Sequence, residues 1–163
     1  MKWISGDLID IARAENCHVV AFTANSVLKT VDQQLALVMG AGAAKRVRDY
    51  FPGIDIALGQ KIAALQTTPR SGVQKDYHIV SSKHSGMHVA ALQVKRDWRD
   101  EGDWDLTAQS LTLLSGYLAE FPHLKCVLNC PLIGLGGFRE RKAEVQAMVE
   151  KHLEGANILV SVI

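Results

Sequence analysis

The chain has 163 residues, room for one domain (residues 1–163) with a sizeable core, and its 48% hydrophobic and 21% charged content is ordinary for a folded globular protein. Eighteen basic residues stand against 17 acidic ones, a net charge of +1. That balance excludes a coat held on nucleic acid mainly by backbone charge, so strong general nucleic-acid binding is not expected, but it leaves room for a local anion site.

In chain order, "KWISGDL" reads as a short strand that ends at Gly6-Asp7, and "DIARAEN" as one or two helical turns. "HVVAFTAN" is apolar and β-branched, the pattern of a strand buried on both faces. "SVLKTVDQQLA" leads to "MGAG" as a helix or a lid. After Gly42, Ala43, Ala44, Val47, Tyr50 and Phe51 fall on one helical face, with Lys45, Arg46, Arg48 and Asp49 toward water, and Pro52-Gly53 ends the helix. "IDIALGQKIAALQ" is ambiguous. "DYHIVSS" and "MHVAALQV", joined by "KHSG", predict a hairpin. "DWRDEGDWD" reads as a polar loop, and Leu111, Leu114 and Leu118 mark a helix that stops near Pro122. "LKCVLNCPLIG" is a buried strand, Val145, Met148, Val149, His152 and Leu153 form another helical face that Gly155 stops, and "NILVSVI" is a last strand. Strands alternating with helices predict an α/β domain with a mixed, largely parallel sheet.

The three cysteines, Cys17, Cys126 and Cys130, form no CxxC pair, and the opening residues turn polar too soon for a secretory leader. Free thiols in a reducing cytoplasm are the expectation. No apolar run approaches the roughly 18 residues of a membrane span. The histidines make no metal-binding pattern, so neither a metal nor a cofactor is expected, and Cys126 and Cys130 read as core residues.

Two glycine clusters carry the functional signal. Gly40-Ala41-Gly42 precedes a predicted helix, whose first amides and positive dipole end suit an anion, and small residues let that anion approach the backbone. The same three residues also suit a tight turn chosen for packing. The spacing matches neither the dinucleotide fingerprint nor the Walker loop. "PLIGLGGF", residues 131–138, follows a buried strand. Ligands of such sheets sit outside the carboxyl ends of strands, and both clusters are expected there, which suits a diphosphate better than one loop alone.

Together, "GDL", "FTAN", "MGAGAAKRVRDYFPG" and "CPLIGLGGF", in this order over nearly the whole chain, resemble the macro domain. The likeness leans toward the branch that contains the terminal ADP-ribose glycohydrolases and the antitoxin that removes ADP-ribose from DNA. It implies a three-layer α/β/α fold with a mixed sheet flanked by helices, and a pocket for ADP-ribose or an ADP-ribosylated substrate. Asp7, beside Leu8, would accept from the adenine amino group, and Asn25 would face the distal ribose. Met39, Gly40, Ala41 and Gly42 would line the diphosphate with Gly134, Leu135, Gly136, Gly137 and Phe138. Asp7 is equally a good N-cap, and Asn25 a good turn former.

Some members of that branch use a lysine against the anomeric carbon. Lys83 and Lys95 compete for the role, and Lys95 fits the family's position at the end of the strand after the hairpin. Arg96 and Arg99 would lower its pKa by like-charge repulsion, while Asp97 and Asp100 oppose them. The chain departs from the family where a catalytic Asp would lie: Phe138 stands there, and the nearest carboxylates are Glu140 and Glu144. The readings are therefore a hydrolase of ADP-ribosylated protein, ADP-ribosylated DNA or ADP-ribose-1″-phosphate, a binding module with little turnover, and a different nucleotide binder or purely structural domain.

Overall fold

Residues 19–24, VVAFTA, send bulky apolar groups to alternate sides of an extended chain, so such a strand needs cover on both faces. The computed structural model of the protein, which describes residues 1–66, 75–130 and 140–162, supplies that cover. Its elements are β1 (Lys2–Ser5), α1 (Leu8–Ala14), β2 (Val19–Ala24), β3 (Leu28–Val31), β4 (Gln34–Leu37), α2 (Gly42–Tyr50) and α3 (Ile54–Leu65). There follow β5 (Ile79–His84), β6 (Met87–Gln93), α4 (Trp104–Glu120), β7 (Cys126–Asn129), α5 (Lys142–Leu153) and β8 (Ile158–Val162).

Six strands form one mixed sheet in the order β1-β8-β7-β2-β6-β5. All neighbours run parallel except the edge strand β5, which is antiparallel to β6. Val20 and Phe22 of β2 pack with Leu8, Val47 and Leu58 of α1–α3 on one face. Val19 and Ala21 pack with Leu114 of α4 and Val149 of α5 on the other. Full burial of a side chain such as Phe22 or Leu114 stabilises by about 1.5–3 kcal/mol, so the two helical layers hold the sheet. This is the three-layer α/β/α architecture. Cys17, Cys126 and Cys130 are all buried. No described helix is long and apolar enough to cross a membrane.

Residues 28–37, expected as a helix or a lid, are not a helix. They form a hairpin, with Leu28 opposite Leu37 and Val31 opposite Gln34. Its turn residues, Asp32 and Gln33, both have positive φ (48° and 65°), the backbone that suits a two-residue turn between right-twisted strands. The hairpin packs against α3, which resolves the ambiguous "IDIALGQKIAALQ" as a helix. At Gly59 of α3 an added Cβ would stand 2.6 Å from the Ala36 Cα, so only glycine permits this approach. The predicted β5–β6 hairpin is present, and it turns at Ser85-Gly86.

Two smaller expectations fail. Tyr50 is 40% exposed rather than part of the buried face of α2, because Phe51, the next residue, fills the core there. The loop after β6 ends earlier than its polar composition implied: α4 begins at Trp104 because the Asp103 side chain caps it, accepting from the Leu106 amide at 2.9 Å.

Candidate ligand-binding site

Asp7 stands directly after β1 and caps α1. Its Oδ1 accepts the Ile9 and Asp10 amides, each at 3.0 Å. Arg46 of α2 adds its Nε at 3.1 Å from Oδ2, and its Nη2 lies 3.4 Å from Asp10. Arg46 is thus bound across to α1 rather than simply turned to water. Partial burial pushes the Asp7 pKa up, but the Asp10 amide, Arg46 and the Ile9 amide outweigh it and hold the carboxyl below its usual value. Leu8 is buried in the core beneath.

Asn25 follows β2 and is itself buried. Its Nδ2 donates to the Val38 carbonyl at 3.2 Å, and its Oδ1 accepts the Val27 amide at 2.8 Å. The side chain therefore ties the end of β2 to the segment that leads into Gly40. The Tyr77 hydroxyl, whose pKa burial pushes far up, donates to the Asn25 carbonyl at 2.6 Å. The glycine loop was expected to leave a strand of the main sheet. It follows β4 of the hairpin instead, and the Asn25–Val38 and Arg46–Asp7 contacts bring it to the carboxyl ends of β1 and β2.

In that loop Met39 is buried, whereas Gly40, Ala41 and Gly42 are exposed. An added Cβ at Gly40 or Gly42 would meet open space, and Gly42 has φ +57°. The α2 ladder begins with the Lys45 amide donating to the Ala41 carbonyl at 3.1 Å, so the amides of Gly42, Ala43 and Ala44 precede it. Ala41, the N-cap, has no side-chain acceptor to offer them.

Gly134, Leu135, Gly136, Gly137 and Phe138 lie outside the described residues. The chain reaches them from β7, a neighbour of β2 in the sheet. Thr23 and Asn129 lock these two strands near their carboxyl ends: the Thr23 amide donates to Asn129 Oδ1 and Asn129 Nδ2 to Thr23 Oγ1, each at 2.9 Å. Sequence reasoning missed this pair, since two polar residues in apolar strands carry no mark of facing each other.

Lys95 follows β6, beside Asn25: the Val94 amide donates to the Ala24 carbonyl at 3.0 Å, and the Ser26 amide to the Arg96 carbonyl at 3.0 Å. Its Nζ donates to the Trp98 carbonyl at 3.1 Å and lies 3.4 Å from the Asp100 carbonyl. Burial lowers its pKa, against Asp100 and Asp97, which raise it. The arginines are not the cause. Arg96 is bound to Asp76 and Asp103, and Arg99 to Asp97. Lys83 pairs with His88 at the amino end of β6, five residues and about 17 Å of strand from Gln93, so it lies far from Asn25. Glu144 is engaged by Arg141 of its own helical turn. A small cavity of about 80 Å³, lined in part by Val19, Ser81, His88 and Tyr117, also opens toward the amino ends and takes no part in the site.

An α/β/α sandwich whose glycine loop crosses the carboxyl ends of β1 and β2 has close structural counterparts. The macrodomain of Thermus aquaticus DarG superposes with a TM-score of 0.70 at 18% identity, over 99% of this chain and 97% of that one. The fold is that of a macrodomain. The Mycobacterium tuberculosis DarG macrodomain gives a TM-score of 0.66 at 13% identity, over 99% of this chain and 97% of its own. Thermosipho africanus DarTG, solved in complex with ADP-ribose, gives 0.69 at 13% identity, over the whole of this chain and 42% of that longer one. No family model and no curated protein matches the sequence.

Proposed function

We propose that residues 1–163 form one unit that binds ADP-ribose at the carboxyl ends of β1, β2 and β6. The observation that carries the reading is the exposed Gly40–Gly42 backbone at the uncapped start of α2, tied to both Asp7 and Asn25. Amides there suit a diphosphate, which is drawn by the helix dipole and by charge-assisted hydrogen bonds. Asp7, kept ionised, is an acceptor for the adenine amino group, with Leu8 and Met39 as the apolar floor. Asn25 stands toward the distal ribose. Gly134, Leu135, Gly136, Gly137 and Phe138 complete the diphosphate and ribose walls. The complex of Thermosipho africanus DarTG with ADP-ribose supports the choice of ligand by analogy. Calorimetry tests it: saturable heat with ADP-ribose is expected, and no heat at millimolar ligand would leave a structural domain or a binder of something else.

Hydrolysis of an ADP-ribose derivative is the finer proposal, favoured by the lowered pKa of Lys95 beside Asn25. A neutral Lys95 amine would attack the anomeric carbon as the bond to the acceptor breaks, its proton going to the departing acceptor, and water would then break the lysine–ribose bond to release ADP-ribose and restore the amine. Against it, Nζ is engaged by the Trp98 and Asp100 carbonyls of its own loop, which favours binding with little turnover. Incubation with ADP-ribosylated protein, ADP-ribosylated DNA and ADP-ribose-1″-phosphate separates the two. Turnover that survives Lys95→Ala would exclude Lys95 as the nucleophile.

A further inference from the structure

Lys95 is bracketed by two anchored neighbours. On one side, the Val94 amide donates to Ala24 and the Val94 carbonyl accepts the Asp103 amide at 2.7 Å. On the other, the Arg96 carbonyl accepts both the amide and the hydroxyl of Ser26, at 3.0 and 2.9 Å. The Arg96 guanidinium then reaches two carboxylates on different elements. Its Nη2 and Nε donate to the two oxygens of Asp76, at 2.7 and 3.0 Å, and its Nη1 donates to Asp103 at 2.9 Å. Asp76 also accepts Gln93 Nε2 at 3.1 Å, and Gln93 Oε1 accepts the Tyr77 and His78 amides, at 2.9 and 3.0 Å. Tyr77 closes the circuit onto the Asn25 carbonyl.

Three pieces of chain thus meet at one residue: the end of β2 at the Arg96 carbonyl, and the approach to β5 and the cap of α4 at its guanidinium. A forked guanidinium holding two carboxylates fixes orientation as well as distance, which a lysine ammonium does not do. We propose that Arg96, gripped by Asp76 and Asp103, is the positioning residue that sets where Lys95 stands relative to Asn25. Its guanidinium acts through backbone and need not touch ligand. Its functional meaning rests on the ADP-ribose reading; its effect on Lys95 does not.

The test uses the full chain, labelled with ¹³C and ¹⁵N, without ligand. The Lys95 side chain is assigned with Lys95→Arg and titrated by NMR. In the parent protein Lys95 is expected to titrate below the ordinary lysine value. Charged groups near it are Asp97, Asp100, Arg96 and Arg99 on its own loop, with Asp76 before β5 and Asp103 at α4. Asp76→Asn removes a negative charge, which by electrostatics alone would lower the Lys95 pKa further. Loosening the clamp exposes the ammonium to water and raises it, and that rise is the expected result. Arg96→Lys keeps the charge but loses the fork; here too the pKa is expected to rise, with altered Asn25 side-chain amide signals. A Lys95 titration that is unchanged or lower in both variants, each shown folded by its amide spectrum, overturns the proposal. Calorimetry forms the second arm: a several-fold weaker ADP-ribose affinity is expected in both variants. If the parent protein binds no ADP-ribose, the ligand reading falls, and the titration alone still decides the clamp.

Discussion

Helices α1, α2 and α4 begin at the carboxyl end of the sheet, and they begin differently. Asp7 caps α1 and Asp103 caps α4, each carboxylate accepting backbone amides and also an arginine. Helix α2 begins at Ala41, between two exposed glycines, with no side-chain cap. The first amides of α1 and α4 are committed within the protein; those of α2 have no side-chain cap, and an added Cβ at Gly40 or Gly42 would meet open space. A helix end that gives up about 1 kcal/mol of capping has a compensating use when an external anion can take the cap's place.

The sharpest way to break that contrast is to block the open end. Gly42→Val puts a branched side chain into the space above the amides and strains a backbone at φ +57°. ADP-ribose affinity is expected to fall on the order of 100-fold, about 2.8 kcal/mol, in a protein that still folds. Calorimetry beside a melting curve checks both halves. Ala41→Asp instead gives α2 the cap its neighbours have. It is expected to stabilise the fold by about 0.5–1 kcal/mol in denaturant titration and to weaken ADP-ribose roughly tenfold or more, since its carboxylate occupies the anion's place. Higher stability with undiminished affinity would mean that the phosphates lie elsewhere.

Removing an existing cap is expected to matter less for ligand and more for stability. Asp7→Ala should cost about 1 kcal/mol from the α1 cap, measured by urea denaturation, and should lower ADP-ribose affinity only severalfold. The smallest effect is in pH. The folded Asp7 carboxyl has a lowered pKa, so its stabilisation is fully present above the unfolded carboxylate pKa and is lost as pH falls through the lower folded value. Asp7→Asn is expected to reduce the acid-side loss of stability in that window. An identical acid limb in parent and variant would show that Asp7 does not contribute.

Much of this architecture was legible because long apolar signals are redundant. A continuous apolar, β-branched run announces β2, and Leu111, Leu114 and Leu118 announce α4. The β3–β4 hairpin was not legible: its turn, Asp32-Gln33, lacks the glycine that usually marks such a turn, and its positive φ angles belong to the folded chain. Among site residues, the small side chains at 40–42 signalled an accessible backbone correctly, because that property is local. Asp7 was legible as either an N-cap or a ligand acceptor, and it is an N-cap with capacity left on Oδ2. The causes of the Lys95 shift were not legible. Whether Arg96 faces Lys95 or turns to Asp76 depends on contacts 20 residues apart. The Thr23–Asn129 lock, 106 residues apart, was hidden for the same reason.

The most direct measurement is an amide NMR titration of the labelled chain with ADP-ribose. Saturable shifts at Gly40, Ala41 and Gly42, together with Gly134, Gly136 and Gly137, and reproduced in part by pyrophosphate, are the predicted result. Binding that leaves the Gly40–Gly42 amides unmoved would contradict the account.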